Sequence, residues 1–173
     1  RCGALAARAP IIKNIKNHIS RGGAVLGVCN GFQILVEAKL LPGSLIKNKK
    51  LLFTCKDTTL EVQDTIPSPF SWGFKPGELL EIPVAHNEGN FFASKSIIHE
   101  LENEGRIAFK YKESKNEKNN YNPNGSINNI AGVLSANGRV LGMMPHPERV
   151  INTFHGGTDG LRFLKTSIEQ LVG

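Results

Sequence analysis

A short apolar strand that passes through a Gly-x-Cys-x-Gly turn into a helix is the feature that most constrains this fold. Residues 24–28 read Ala-Val-Leu-Gly-Val, Cys29 follows, and a helical pattern begins at Asn30. This layout is that of a nucleophile elbow, a strained strand-to-helix turn. We expect Gly27 and Gly31 to be glycine because side chains there would collide with the strand and helix. The positive end of the helix should favour the thiolate of Cys29.

Cys29 has a second interpretation that the turn alone does not exclude. Free cysteines are among the most buried residue types, and most of them act as small hydrophobic side chains. The decision between a nucleophile and a packing residue therefore depends on other parts of the chain.

The first forty residues have the rhythm of an α/β sheet. A helix is predicted over 6–20, where four isoleucines share one face, and another over 30–40. The strand between them is uniformly apolar, which is typical of a strand buried on both sides. We therefore predict an α/β fold with an open, mostly parallel sheet and flanking helices.

The rest of the chain predicts an antiparallel extension of that sheet. Residues 51–63 and 78–84 alternate between apolar and polar side chains, as exposed antiparallel strands do. Asn137-Gly138 is a strong hairpin signal that would join strands 130–135 and 139–144. Residues 112–125 are rich in Lys, Glu and Asn and are predicted to form a surface loop.

A second motif, Pro145-His146-Pro147-Glu148, follows the last predicted strand. Proline disfavours helix, and in an extended chain residues two apart project from the same face. Glu148 can then hydrogen-bond one imidazole nitrogen of His146 and fix its tautomer, leaving the other nitrogen free. The alternative is a surface loop whose histidine and glutamate have no chemical role.

The two motifs together form a Cys-His-Glu set whose members follow strands. Sites in α/β sheets gather at the carboxyl ends of strands, where both motifs are predicted to lie. The chain order nucleophile, histidine, acid differs from that of α/β-hydrolases, in which the acid precedes the histidine.

This order, together with Cys-Asn-Gly-Phe-Gln at 29–33 and the run 142–149, resembles the class I (triad-type) glutamine amidotransferases, whose sheet is flavodoxin-like. The segments 86–90, 122–126 and 158–160 are similar to one branch of that family, the glutaminase subunits of phosphoribosylformylglycinamidine synthases of purine biosynthesis. The resemblance covers nearly the whole chain, with Asn87 at a position where the family usually has glycine.

The resemblance implies that Cys29, His146 and Glu148 are catalytic and that the backbone N–H of Asn30 forms part of an oxyanion hole. It also implies that Gln33 and His86 contact the substrate glutamine, although Gln33 could equally be an ordinary exposed helix residue. No metal is expected in this chain. By resemblance, ATP and Mg belong to a large synthetase subunit, which together with a small bridging subunit would be the partner of this chain.

By the same resemblance, residues 1–173 are expected to be one amidotransferase domain that lacks its N-terminal part. The chain opens with Arg-Cys-Gly, whereas family members have further residues before Arg1, including a Gly-rich loop that supplies half of the oxyanion hole. The expected site is therefore incomplete.

Composition and charge indicate which partners and which cellular location to expect. The net charge of +6 is scattered and not interleaved with aromatic residues, so nucleic-acid binding is not expected. Three cysteines make no even-numbered disulfide framework, which favours a reducing, cytoplasmic location. No apolar run approaches the roughly 20 residues that cross a bilayer, so no membrane association is expected.

Two alternatives stay open on the sequence alone. The chain could be the amidotransferase domain of another synthetase, because the Cys-x-Gly-x-Gln core is shared within the family. It could also be a non-catalytic scaffold subunit that keeps the fold.

Overall fold

The computed structural model describes residues 2–113 and 121–173, and these form strands, helices and short 3-10 turns. The strands are β1 (Val25–Val28), β2 (Ser44–Ile46), β3 (Thr54–Lys56), β4 (Thr59–Val62), β5 (Leu79–Glu81), β6 (Val84–His86), β7 (Asn90–Phe92), β8 (Ile107–Lys112), β9 (Ile130–Leu134) and β10 (Val140–Met143). The helices are α1 (Cys2–Ala6), α2 (Ile11–Ser20), α3 (Asn30–Glu37), α4 (Lys95–Asn103) and α5 (Asp159–Val172). The 3-10 turns are Ile127–Asn129, Pro147–Arg149 and Thr153–His155.

The main sheet has six strands in the order β1-β10-β9-β8-β4-β5, and two small two-stranded sheets pair β2 with β7 and β3 with β6. The predicted α/β class, flanking helices and antiparallel extension are confirmed. The share of parallel strand pairs is lower than expected for a mostly parallel sheet. In the described residues, β1–β10 is the one parallel pairing of the main sheet. Of the antiparallel pairs, β9–β10 is joined by a short hairpin.

The hairpin between β9 and β10 follows the Asn-Gly signal. Gly138 has a φ of 69°, which glycine adopts readily, and Asn137 Oδ1 accepts hydrogen bonds from Ser135 Oγ and from the Arg139 N–H. The hairpin places β10 between β1 and β9, so that β1 and β10 run in the same direction and end at the same edge.

Apolar side chains bury both faces of the sheet. On one face, Phe32 of α3 stacks on Phe91 with ring centroids 5.9 Å apart. On the other, Phe163 of α5 packs edge-on against Phe109, also at 5.9 Å. Each contact belongs to a larger buried cluster, and each cluster anchors helices against the sheet. The helices that border the site are therefore held by the core.

The helix predicted over 6–20 begins later in the structure, and a separate short helix that was not predicted precedes it. α1 ends at Ala6 and α2 begins at Ile11, with Pro10 at its start. Proline lacks an N–H and disfavours helix in the residue before it, so a new helix begins there.

Three expectations are not tested by the structure. Part of the loop 112–125 falls on residues that are not described, and the single domain and the missing N-terminal segment stay predictions. No helix in the described ranges is both long and apolar enough to cross a membrane.

Candidate active site

Cys29 occupies the strained turn that the sequence predicts between β1 and α3. Its φ of 52° and ψ of −104° are unusual for a residue with a side chain. The turn is held because the Cys29 N–H donates to the Met143 carbonyl at 2.8 Å, immediately after the parallel pairing of β1 with β10. Strain of this kind persists only where its surroundings enforce it, and it is common at functional sites.

The two glycines of the elbow have different surroundings. A Cβ on Gly27 would lie 2.8 Å from the Gly31 carbonyl carbon and would overlap the Leu35 side chain, as expected from the sequence. A Cβ on Gly31 would meet no atom within 4 Å. The expectation of a collision is confirmed for Gly27 and wrong for Gly31.

Burial controls the protonation of Cys29. Its thiol has a raised pKa because desolvation of the charged form outweighs the other effects. The Asn30 backbone N–H and the Arg149 cation lower the pKa, and Glu148 raises it. The helix terminus therefore acts in the expected direction, but the expectation that thiolate is favoured is wrong for the free protein. The thiol instead points its S–H to the Ala85 carbonyl at 3.8 Å.

His146 and Glu148 form the predicted pair. His146 Nδ1 lies 2.6 Å from Glu148 Oε1, so the carboxylate accepts the Nδ1 proton and fixes the tautomer. His146 is buried, and its Nε2 makes no hydrogen bond to the described residues. A buried nitrogen without a partner is a base available for proton transfer.

The backbone that carries this pair differs from the extended segment that the sequence predicts. Pro147–Arg149 form a 3-10 turn, since proline suits the first position of a helical turn. The turn is packed closely against α5: a Cβ on Gly160 would overlap the Pro147 carbonyl, and the Gly160 N–H donates to Val150 O at 3.1 Å. The His146 N–H donates to Pro83 O at 2.8 Å, which completes the placement of the histidine.

A cavity of about 550 Å³ brings the predicted residues together. Its lining includes Cys29, Asn30, Gln33, His86 and His146. Glu148 does not line the cavity and instead contacts His146. Cavities of this volume suit small molecules, and this one holds a thiol and an imidazole as its reactive groups.

Arg149 and Phe53 are among the lining residues that were not predicted as site residues. Arg149 lines it with its guanidinium Nε 3.8 Å from Glu148 Oε1, and its charge acts on Cys29. Phe53 lines it while its side chain is 65% exposed. The sequence carried a signal for Arg149, which directly follows the His-Pro-Glu run, and none for Phe53.

Gln33 and His86 line the cavity with their side chains already engaged. Gln33 Nε2 donates to the Glu88 carbonyl at 2.9 Å. His86 is buried, with Nδ1 3.1 Å from Asn48 Oδ1 and Nε2 3.4 Å from Asn124 Nδ2. Burial, and to a lesser extent His146, lowers the pKa of His86 to about 4, so its ring is neutral at pH 7. Their expected substrate contacts stay predictions.

Asn87 tolerates its position without strain. The family usually has glycine at this position, but the φ of Asn87 is not positive. The turn needs no glycine at this residue.

Among the described residues, no group of His, Cys, Asp and Glu could hold a metal ion.

Comparisons with known proteins agree with this geometry. Residues 3–158 match the family described as the CobB/CobQ-like glutamine amidotransferase domain. The phosphoribosylformylglycinamidine synthase subunit PurQ of Brucella abortus is 50% identical over 160 residues, covering 92% of this chain and 69% of that protein. PurQ of Rhizobium meliloti is 47% identical over 172 residues, covering 99% of this chain and 74% of the relative. The structure of PurLQS from Thermotoga maritima superposes with a TM-score of 0.83 at 35% identity, covering 99% of this chain and 73% of that one.

Proposed function

The chain belongs to the CobB/CobQ-like glutamine amidotransferase family, and we propose that it is the glutaminase subunit of a phosphoribosylformylglycinamidine synthase. It hydrolyses glutamine to glutamate and ammonia within a carbon–nitrogen ligase complex of purine biosynthesis. The similarity to PurQ proteins at about half of all aligned positions supports this substrate and pathway.

The reaction begins at Cys29. In the free protein the thiol is protonated, because burial raises its pKa, so the attack needs a base. His146 Nε2 is the buried nitrogen without a hydrogen-bond partner that can take the Sγ proton. The sulfur then attacks the side-chain amide carbon of glutamine, and Glu148 stabilises the imidazolium through its 2.6 Å contact with Nδ1.

Charge develops on the amide oxygen as the tetrahedral intermediate forms. We assign the stabilisation of this oxygen to the Asn30 backbone N–H, and its position directly after the nucleophile at the start of α3 supports this role. His146 returns its proton to the amide nitrogen, the carbon–nitrogen bond breaks, and ammonia leaves. Water then hydrolyses the thioester with His146 again as base, and glutamate is released.

We assign the next step to the partner subunits. PurLQS, the complex to which the superposed structure belongs, supports assembly with a large synthetase and a small third subunit. The synthetase uses the ammonia with ATP and Mg to convert formylglycinamide ribonucleotide to formylglycinamidine ribonucleotide, and this chain needs no cofactor of its own. A free-thiol nucleophile suits a reducing compartment, and we place the complex in the cytoplasm.

The observation that carries the proposal is the placement of Cys29 and His146 on one cavity, with Glu148 bonded to the histidine. The test uses the full-length protein assembled with its synthetase partners. Cys29→Ala should abolish glutamate release and glutamine-dependent synthesis, while synthesis supplied directly with ammonium salts continues. Cys55→Ala, which changes an exposed cysteine that does not line the cavity, is the matched control and should retain both activities.

Unchanged glutamine turnover in Cys29→Ala would disprove the assignment of the nucleophile. Pairing of the protein with a synthetase for guanine or cytidine nucleotides or carbamoyl phosphate would instead favour the second function in the same family.

A further inference from the structure

Asn48 lies just after β2 and is 1% exposed, although its side chain is polar. Its Oδ1 accepts from the Gly89 N–H at 3.0 Å and lies 3.1 Å from His86 Nδ1. Its Nδ2 donates to the carbonyls of His86 and Leu52, each at 2.9 Å. Its backbone N–H donates to Asn87 O, also at 2.9 Å. One buried residue thus holds a segment of four consecutive residues, His86–Gly89.

The hydrogen-bonding groups of this amide are fully used. An asparagine has two N–H donors and an oxygen with two lone pairs, and Asn48 directs all of them to the protein. The orientation is consistent with a neutral His86 that carries its proton on Nδ1, since Oδ1 can only accept. Removing the amide would leave buried donors and acceptors of His86–Gly89 unpaired.

The segment that Asn48 holds is a wall of the candidate active site. His86, Asn87 and Glu88 line the same cavity as Cys29. The segment is held at a second point, because the Glu88 carbonyl accepts from Gln33 Nε2 at 2.9 Å. Gly89 has no space for a side chain, since a Cβ there would lie 2.5 Å from His86 Nδ1. The position of the wall is therefore closely determined, and Asn48 provides contacts to it that do not face the cavity.

We propose that Asn48 is a positioning residue for the glutaminase reaction, which sets the distance between the His86–Gly89 wall and the Cys29 turn so that the cavity fits glutamine. This inference rests on the proposed function. Asn48 does not line the cavity and touches no reacting atom in this account. It acts through His86 and Gly89, whose placement limits where the substrate can lie.

A purely structural role and a positioning role have different kinetic consequences. Loss of folded protein lowers the apparent kcat and leaves KM unchanged, because the remaining molecules have normal sites. Displacement of the wall changes the site of every molecule and raises KM. A displacement of about 1 Å at a site can cost up to about 100-fold in efficiency.

The experiment measures kcat and KM for glutamine in the full-length protein with its synthetase partners. Asn48→Ala should raise KM by about 10-fold to 100-fold. Asn48→Asp keeps the acceptor for the Gly89 and His86 N–H groups, but it turns a carboxyl oxygen toward the carbonyls of His86 and Leu52, so its KM should also rise. Ser68→Ala is the matched control: it removes a buried hydroxyl that donates to Gly138 O at 2.8 Å, by the hairpin that begins β10, and should leave KM unchanged.

The result that overturns the inference is a wild-type KM in both Asn48 variants, or an equal rise of KM in Ser68→Ala. If Asn48→Ala fails to fold, Asn48→Asp compared with Ser68→Ala decides by the same criterion. Gly89→Ala perturbs the wall from its other side and should also raise KM. Failure of the proposed function would look different, because the wild-type complex would then release no glutamate from glutamine.

Discussion

At Cys29, burial and charge act on one thiol in opposite directions. Desolvation raises its pKa, and the Asn30 amide and the Arg149 cation lower it. The protein thus keeps a thiol at rest and has a buried imidazole beside the same cavity to accept its proton. The sequence located both groups but could not show that burial outweighs the helix terminus, because burial depends on residues distant in the chain, such as Ala85.

Removing the Arg149 charge should make Cys29 less acidic. Arg149 lowers the pKa of the thiol, so Arg149→Ala should raise it, and the alkylation rate at a fixed pH near neutrality should fall. The pH at which the alkylation rate rises should increase. The increase should be modest, because the guanidinium is half exposed and screened by solvent. Iodoacetamide labelling in a Cys2→Ser, Cys55→Ser background measures this. Arg149→Lys retains the charge and should behave like the wild type, whereas a shift to lower pH in Arg149→Ala would contradict the account.

His86 should make the stability of the fold depend on pH. Its pKa is about 4 in the folded protein against 6.5 unfolded, so the unfolded chain binds the extra proton between these values. The contribution of neutral His86 to the free energy of unfolding is complete above pH 6.5. It falls by about 3 kcal/mol as the pH falls toward 4.

Urea unfolding at pH 7 and pH 4.5 tests this prediction. The free energy of unfolding should fall more between the two pH values in the wild type than in His86→Gln, which cannot take up the proton. Equal falls in the two proteins would show that His86 is not buried in its neutral form.

At the scale of elements, the site depends on where β1, β10 and α5 end or begin. β1 and β10 are parallel, so Cys29 and the Pro145–Glu148 run follow the same edge of the sheet. The periodicity of the sequence predicted these strands and the hairpin before β10. It did not predict the 3-10 turn at Pro147, because the turn is set by contact with α5 more than 10 residues along the chain.

Gly160→Ala should displace the turn that carries His146 and Glu148. A Cβ at this position would overlap the Pro147 carbonyl, a backbone atom that cannot move alone. We expect a loss of stability of about 1–3 kcal/mol and a lower kcat, with Cys29 still open to alkylation. Gly157→Ala, where a Cβ would meet no atom within 4 Å and φ is not positive, is the matched control and should be near neutral. Thermal unfolding and assays of glutamate release test this prediction, and similar behaviour of the two variants would contradict it.

At the scale of the whole molecule, the sequence predicted the fold class and grouped Cys29, His146 and Glu148 correctly in space. These residues belong to local motifs, and the rule that sites form at the carboxyl ends of strands brings such motifs together. Asn48 and Phe53 were not found, since their relation to the cavity arises from loops whose paths no local pattern specifies. His86 was found, but its two ring contacts, to Asn48 and Asn124, come from distant segments.

The non-catalytic scaffold alternative is separated from the enzyme by the reactivity of the cavity. A scaffold could keep the fold and the buried cysteine, but it would not need an imidazole with a free nitrogen beside that cysteine. The distinguishing property is therefore a thiol that reacts because a glutamine-like molecule is bound next to it.

The most direct measurement is labelling of the full-length protein in its complex with an electrophilic glutamine analogue, followed by peptide mapping. If Cys29 is the nucleophile, the label should be found at Cys29 and not at Cys2 or Cys55, excess glutamine should suppress labelling, and glutamate release should be lost in proportion to the label. Modification of all three cysteines at similar rates, or an unmodified Cys29 in a complex that still releases glutamate, would contradict the assignment of Cys29 as the nucleophile.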